Sequence, residues 1–171
     1  MHLTYDIRSH IDPHKIDQFN AEILDVVKRS TRLPVKGGGQ RTSWFWGFEN
    51  RTHPTVAKLM DWIEEIIPMA TATYAEGEGG CYPEKMKIVE CWSLLYNRGE
   101  GVMKHNHFPY TLAFVYYVNA PKGCSPTQLE YEEVEPDPGQ MLVLQGNAYH
   151  AVPPSDVDGR CVVAGLAHYI P

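Results

Sequence analysis

The sequence predicts an α+β protein, with helices in the first half and a sheet sandwich or barrel in the second. Three observations predict it. Apolar residues recur at helical spacing in two stretches before residue 70. From Met86 onward the pattern changes to short β-prone segments separated by polar, Gly and Pro residues. Helices followed by strands, with no internal repeat or low-complexity segment, favour helices packed outside one sheet system over an alternating βαβ fold.

The first helix is expected from about 12 to 30. Asp12 can cap it, and Pro13 at its first position gives up no needed donor. Ile16, Phe19, Ile23 and Val27 form its apolar stripe, which Leu24 and Val26 widen. Leu33-Pro34 and Gly37-Gly38-Gly39 read as breakers. The aromatic run Trp44, Phe45, Trp46 and Phe48 reads as a strand burying its rings, with a substrate-facing wall as the sharper alternative. A second helix starts near His53-Pro54, carries Val56, Leu59, Met60, Ile63 and Ile67 on one face, and is expected to stop at Pro68. A Gly- and Glu-rich loop covers 75–83. Strands are expected at 86–96, 111–119, 128–133, 141–145 and 161–169.

The chain has 171 residues, which suits one domain, with 1–85 as mainly helical support and 86–171 as the β core. That length buries enough apolar surface to fold without disulfides or a structural metal. No apolar run approaches the roughly 20 residues that cross a bilayer. The N-terminus has no basic cluster before an apolar stretch, so no signal peptide is expected. Cys81, Cys91, Cys124 and Cys161 form no C-x-x-C pair, and reduced thiols in a cytoplasmic protein are the expectation. A net charge of -6 argues against a broad nucleic-acid surface, though not against a local basic groove.

The strongest chemical signal is His105-Asn106-His107, with His150 later. Side chains at i and i+2 of an extended segment share a face, so His105 and His107 can aim at one point. His150, expected in a Gly-Asn turn after the strand at 141–145, can return to the same mouth. Three ligands on one side leave the other open, as a catalytic metal requires. An isolated H-x-H is weak, because surface His pairs are common.

The surrounding residues add to it. Tyr96, Gly99 and His105 fall in register with Y-x-x-G-x(5)-H-x-D, the metal-strand motif of prolyl-4-hydroxylase-like 2-oxoglutarate/Fe(II) oxygenases, which this stretch resembles. The segment 114–119, FVYYVN, looks like that family's next core strand. PGQMLVL at 138–144 resembles the strand leading to the distal histidine, and His150-Ala151-Val152-Pro153-Pro154 resembles its H-x-V-x-P. Arg160 stands ten residues after His150, where the family places a basic residue for the co-substrate's far carboxylate. The motifs cover about 86–169. His107 departs from the pattern, standing where the family has Asp or Glu.

The resemblance implies a double-stranded β-helix (jelly-roll, cupin-like) core with the N-terminal helices packed outside. It implies Fe(II) on His105, His107 and His150, with 2-oxoglutarate and O2 as co-substrates. The distal carboxylate would sit on Arg160 and Tyr117, with Tyr96 in reach. Tyr116 would face the other side of the strand. An Arg opening the apolar run Cys161-Val162-Val163-Ala164 needs an anionic partner if it faces inward. Trp92 reads as core, Gly99 and Gly146 as turn formers, and Glu130, Glu132, Glu133 and Glu135 as a solvated edge. The prime substrate is not written in the sequence, and the resemblance leans to a protein or peptide side chain. Two rivals stay open: a cupin-like three-histidine dioxygenase that does not use 2-oxoglutarate, and a non-catalytic metal-binding β-barrel.

Overall fold

The computed structural model describes residues 2–42, 52–75 and 83–171. The chain order is β1 (Leu3–Asp6), α1 (Ile16–Arg29), β2 (Arg32–Pro34), β3 (Gln40–Thr42) and α2 (Pro54–Tyr74), followed by β4 (Met86–Tyr96) and β5 (Val102–His105). Then come β6 (Leu112–Asn119), β7 (Thr127–Leu129), β8 (Glu133–Val134), β9 (Gln140–Gln145), β10 (His150–Val152) and β11 (Arg160–Tyr169). They form a seven-stranded sheet, β1-β9-β6-β11-β4-β3-β2, and a four-stranded sheet, β5-β10-β7-β8. The ladders are antiparallel. The result is the expected α+β architecture, a double-stranded β-helix with helices on one outer face.

The central strands β6, β9 and β11 of the large sheet are buried on both faces, and residue parity sorts their side chains. On β6, Leu112, Phe114, Tyr116 and Val118 join the core beneath α1 and α2, where Ile23, Val27, Leu59 and Ile63 meet them. Ala113 and Tyr117 point the other way, into a second apolar layer between the sheets with Leu142, Leu144 and Val162. Tyr116 therefore faces the helices: its hydroxyl donates to Asn20 Oδ1 on α1 at 2.7 Å, and its ring meets Trp62 of α2 edge-on at 6.1 Å.

The helices match the predicted stripes with two differences. A 3-10 turn, Pro13–Lys15, precedes α1, and Asp12 accepts from the His14 amide as its cap. The second helix does not stop at Pro68 but runs on to Tyr74. A proline inside a helix removes one hydrogen bond and costs about 3 kcal/mol. Here Ile66, Ile67, Ala70 and Thr71 stay buried across it, and the Thr71 hydroxyl donates to the Ile67 carbonyl at 2.8 Å.

The first third is also not purely helical. β1 adds an edge strand beside β9, and β2 and β3 form a hairpin on the opposite edge. The glycines read as a breaker are that hairpin's turn, with Gly37 and Gly38 at positive φ. In the second half, the extended segment expected to carry both His105 and His107 ends as β5 at His105, β10 is a further strand, and the strand expected at 128–133 is two short ones, β7 and β8, joined by a tight turn. The aromatic run with Trp44 and Trp46, most of the loop at 75–83, and Cys81 lie outside the described residues. Cys91, Cys124 and Cys161 are free thiols. No described helix is long and apolar enough to cross a membrane.

Gly146, after β9, is fixed by close approach. Its amide donates to the Thr111 carbonyl at 2.8 Å, and its carbonyl accepts from the His107 amide at 2.7 Å. A Cβ at this position would lie 1.8 Å from the Tyr110 carbonyl oxygen. Gly146→Ala is therefore expected to destabilise the fold by roughly 1–3 kcal/mol or more. Thermal unfolding checks this, and a midpoint within about 1 °C of wild type would contradict it.

Candidate functional site

Between the two sheets lies a cavity of about 610 Å³. Trp92 and Tyr96 on β4 and Arg160 and Val162 on β11 line it from the large sheet. His105 on β5, Thr127 on β7 and His150 on β10 line it from the small one.

Strand pairing assembles the histidines. β10 lies between β5 and β7, and its His150 pairs directly with His105, which puts the two rings side by side with centroids 4.4 Å apart. His107 lies two residues past His105, just beyond the end of β5. Its ring sits 4.8 Å from His105 and 5.1 Å from His150. One ligand nitrogen from each comes within 4.8 Å of the others.

Their protonation suits ligation. His105 Nδ1 lies 2.8 Å from the Met103 carbonyl, and His150 Nδ1 lies 3.0 Å from the Ala148 carbonyl. A carbonyl only accepts, so each Nδ1 carries the proton and donates it, leaving the Nε2 lone pair for a metal. Burial pushes His107 down to about 3, reinforced by His150, His105 and Arg41. Burial also takes His150 down to about 4, with His105 adding to it and the Ala148 carbonyl opposing. Both rings are neutral at pH 7, the form that binds a metal.

Arg160 is fully buried. Nε donates to the Ser125 carbonyl and Nη2 to Thr127 Oγ1, each at 3.0 Å. Nη1 has no hydrogen-bond partner among the described residues, and none of their carboxylates pairs with the guanidinium. The rings of Tyr96 and Tyr117 flank it, at 4.9 and 5.7 Å from the guanidinium carbon. Burial raises the Tyr96 hydroxyl to about 12, so it remains a protonated donor. A buried cation lacking an anion is costly, and the cavity beside it offers room for one.

Thus His105, His107, His150, Arg160 and Tyr96 all line one cavity. Tyr117 does not: its hydroxyl is paired with Thr127 Oγ1 at 2.9 Å, and Thr127 is the residue that lines the wall. His150 belongs to a strand, not to the turn expected for it. Trp92 is buried in the inner apolar core as expected, and it also walls the cavity, with its ring centroid 6.0 Å from that of His107. Its role was readable, since Trp92, Leu94 and Tyr96 alternate onto one face of a single strand. Thr127 carried no signal, because its strand is only three residues long.

No protein-family model matches the chain, and no curated protein sequence does. Solved structures do. A viral collagen prolyl hydroxylase from Paramecium Bursaria Chlorella virus-1, in a 2OG complex, superposes with TM-score 0.74 at 13% identity, covering 99% of this chain and 96% of that one. A Pseudomonas putida prolyl-4-hydroxylase gives 0.71 at 16%, covering 99% and 92%. A non-heme alpha-ketoglutarate-dependent epimerase from nogalamycin biosynthesis gives 0.68 at 10%, covering 99% and 81%. At such identities the likeness establishes the shared fold.

The lowered histidines predict a pH effect on the metal-free protein. Their folded values lie below the unfolded value of about 6.5, so the unfolded chain binds more protons in acid. Stability is complete above about pH 6.5 and falls as pH drops toward the folded values of about 4 and 3. Urea unfolding from pH 7 to 4 should show this loss, and His107→Gln combined with His150→Gln should flatten it. An equally steep profile in the double variant would contradict it.

Proposed function

We propose that the protein is a 2-oxoglutarate- and Fe(II)-dependent dioxygenase that hydroxylates an organic substrate. One observation carries the reading: a fully buried guanidinium with an unpartnered Nη1 lines the same cavity as three converging imidazoles. Neither feature benefits the empty fold. Both fit one guest with a metal-chelating keto acid at one end and a carboxylate at the other.

In this reading His105, His107 and His150 hold Fe(II) through nitrogen, and the carbonyls of Met103 and Ala148 fix the His105 and His150 rings from behind. Arg160 takes the distal carboxylate through Nη1, a charge-assisted bond in a water-poor pocket. Thr127 and Tyr96 flank that guest, and Tyr117 orients the Thr127 hydroxyl. When bound, iron would activate O2, the oxidant, and 2-oxoglutarate would supply two electrons, with one oxygen atom going into succinate as CO2 leaves and the other into the substrate. The chain's own work is to orient the two guests and exclude water. With His107 in place of a carboxylate, the metal keeps one more net positive charge, which favours binding a dianionic co-substrate.

Residues 1–171 act here as one catalytic domain. A protein or peptide side chain is the favoured substrate, a reading supported by the likeness to a collagen prolyl hydroxylase and a prolyl-4-hydroxylase. Exposed Met103 and Phe108 at the cavity rim give a longer chain something apolar to rest on. The free thiols fit a cytoplasmic setting. The three-histidine donor set also favours a second reading, a cupin-like metal dioxygenase acting without 2-oxoglutarate. That reading leaves Arg160 without an anion.

Anaerobic calorimetry with the Fe(II)-loaded protein separates them. 2-Oxoglutarate should bind, and Arg160→Met should weaken it by roughly 2–5 kcal/mol while Fe(II) affinity is retained. Fe(II) binding with no heat from 2-oxoglutarate would favour the cupin-like reading.

A further inference from the structure

The 2-oxoglutarate reading leaves part of the cavity's charge unused. Among the described residues, its lining carries four basic side chains, Lys36, Arg41, Lys104 and Arg160, and one carboxylate, Glu90. The chain as a whole has a net charge of -6, so this concentration of positive charge runs against the composition. A dianionic co-substrate takes up Arg160 and part of the metal's charge. Within that lining Lys36 and Arg41 then face Glu90, while Lys104 also borders the neighbouring groove that carries Glu130, Glu132 and Glu133.

Arg41 is the best placed of the three. It sits on β3, and its guanidinium lies over the Trp92 ring, 4.2 Å from the centroid. His107 also neighbours that ring, at 6.0 Å between centroids. Arg41 is thus held one aromatic ring away from the histidine cluster. Stacking fixes the plane of a guanidinium and leaves its edge free to form a fork. The Glu90 pairing does not saturate it: Arg41 Nη2 to Glu90 Oε2 is 3.9 Å, an ion pair without a hydrogen bond. The other Glu90 oxygen accepts from the Tyr110 hydroxyl at 3.2 Å, which anchors the carboxylate from the far side. Arg41 remains more than a third exposed, so an incoming anion can reach it.

We propose that Arg41, stacked on Trp92 and braced by Glu90, is the specificity residue for the prime substrate and selects substrates that carry a carboxylate or phosphate. This rests on the reading of the cavity as a 2-oxoglutarate site, and it names the class of molecule that shares it. The surrounding wall of Trp92, Tyr110, Val115 and Leu166 accommodates an apolar body behind the anionic group. Arg41 does not touch the co-substrate's carboxylate, which belongs to Arg160.

The test uses the Fe(II)-loaded protein held anaerobically with saturating 2-oxoglutarate, so that Arg160 and the metal are occupied. Benzoate, phenyl phosphate and the neutral benzamide serve as probes, followed by saturation-transfer NMR titration. At least one anionic probe should bind about tenfold or more tightly than benzamide, the effect of one charge-assisted partner. Whichever of benzoate and phenyl phosphate binds more tightly identifies carboxylate or phosphate as the substrate's group. Arg41→Gln should bring that probe to the benzamide level, and Arg41→Lys should restore part of the difference, with 2-oxoglutarate affinity unchanged in both. Equal binding of anionic and neutral probes, no binding of any, or an Arg41→Gln protein that still prefers the anion would overturn the proposal. Failure of 2-oxoglutarate to bind, with Arg41-dependent anion binding intact, would overturn the co-substrate reading and leave the role of Arg41 standing.

Discussion

A sheet covered on both faces has no solvent side, so every side chain must fit one of two interiors. That constraint organises this molecule. The large sheet sends one set of side chains under α1 and α2 and the other into the space between the sheets. On β11 the alternation sends Cys161 and Val163 to the helices and Val162, Ala164 and Leu166 to the inner layer. Arg160, at the head of that inner row, is carried into the interior by the same parity that makes the strand pack. Tyr96 is its direct partner across the β4–β11 ladder, so the guanidinium and the ring beside it come from one register. A slip of one residue would turn Arg160 toward the helices and remove it from the cavity.

The small sheet supplies the opposite wall by equally local means. Pairing of His150 with His105 brings together residues 45 positions apart, and the Gly146 carbonyl holds the backbone of His107. Two backbone carbonyls then decide which ring nitrogen carries the proton. The cavity thus has an imidazole-rich side and a guanidinium-bearing side, with aromatic rings between. Its positive balance sits inside a negatively charged chain, a distribution that favours anionic guests at the site without making the whole surface attract them.

Much of this was legible in the sequence, and the limits have physical causes. The long strands announced themselves through composition and alternation, and β4 was bounded correctly at both ends. The histidine triplet, Arg160 and Tyr96 were legible because motif spacing reports register. The short strands β1, β2, β3 and β10 were not, since three or four residues cannot display a period of two. Pro68 misled because local propensity says nothing of the buried face that carries α2 past it. Tyr117 was given the carboxylate's hydroxyl on the strength of the motif. Its inward direction was right, but the depth at which its hydroxyl meets Thr127 depends on the opposite sheet, which no local pattern describes.

In the proposed function the three histidines and Arg160 grip the two ends of one molecule. The most direct measurement is the visible absorption of the anaerobic Fe(II)-loaded protein as 2-oxoglutarate is added. A keto acid chelating the metal gives a weak charge-transfer band that saturates with binding, and the account predicts that band, with succinate unable to produce it. A protein that holds Fe(II) yet develops no band at saturating 2-oxoglutarate would contradict the account.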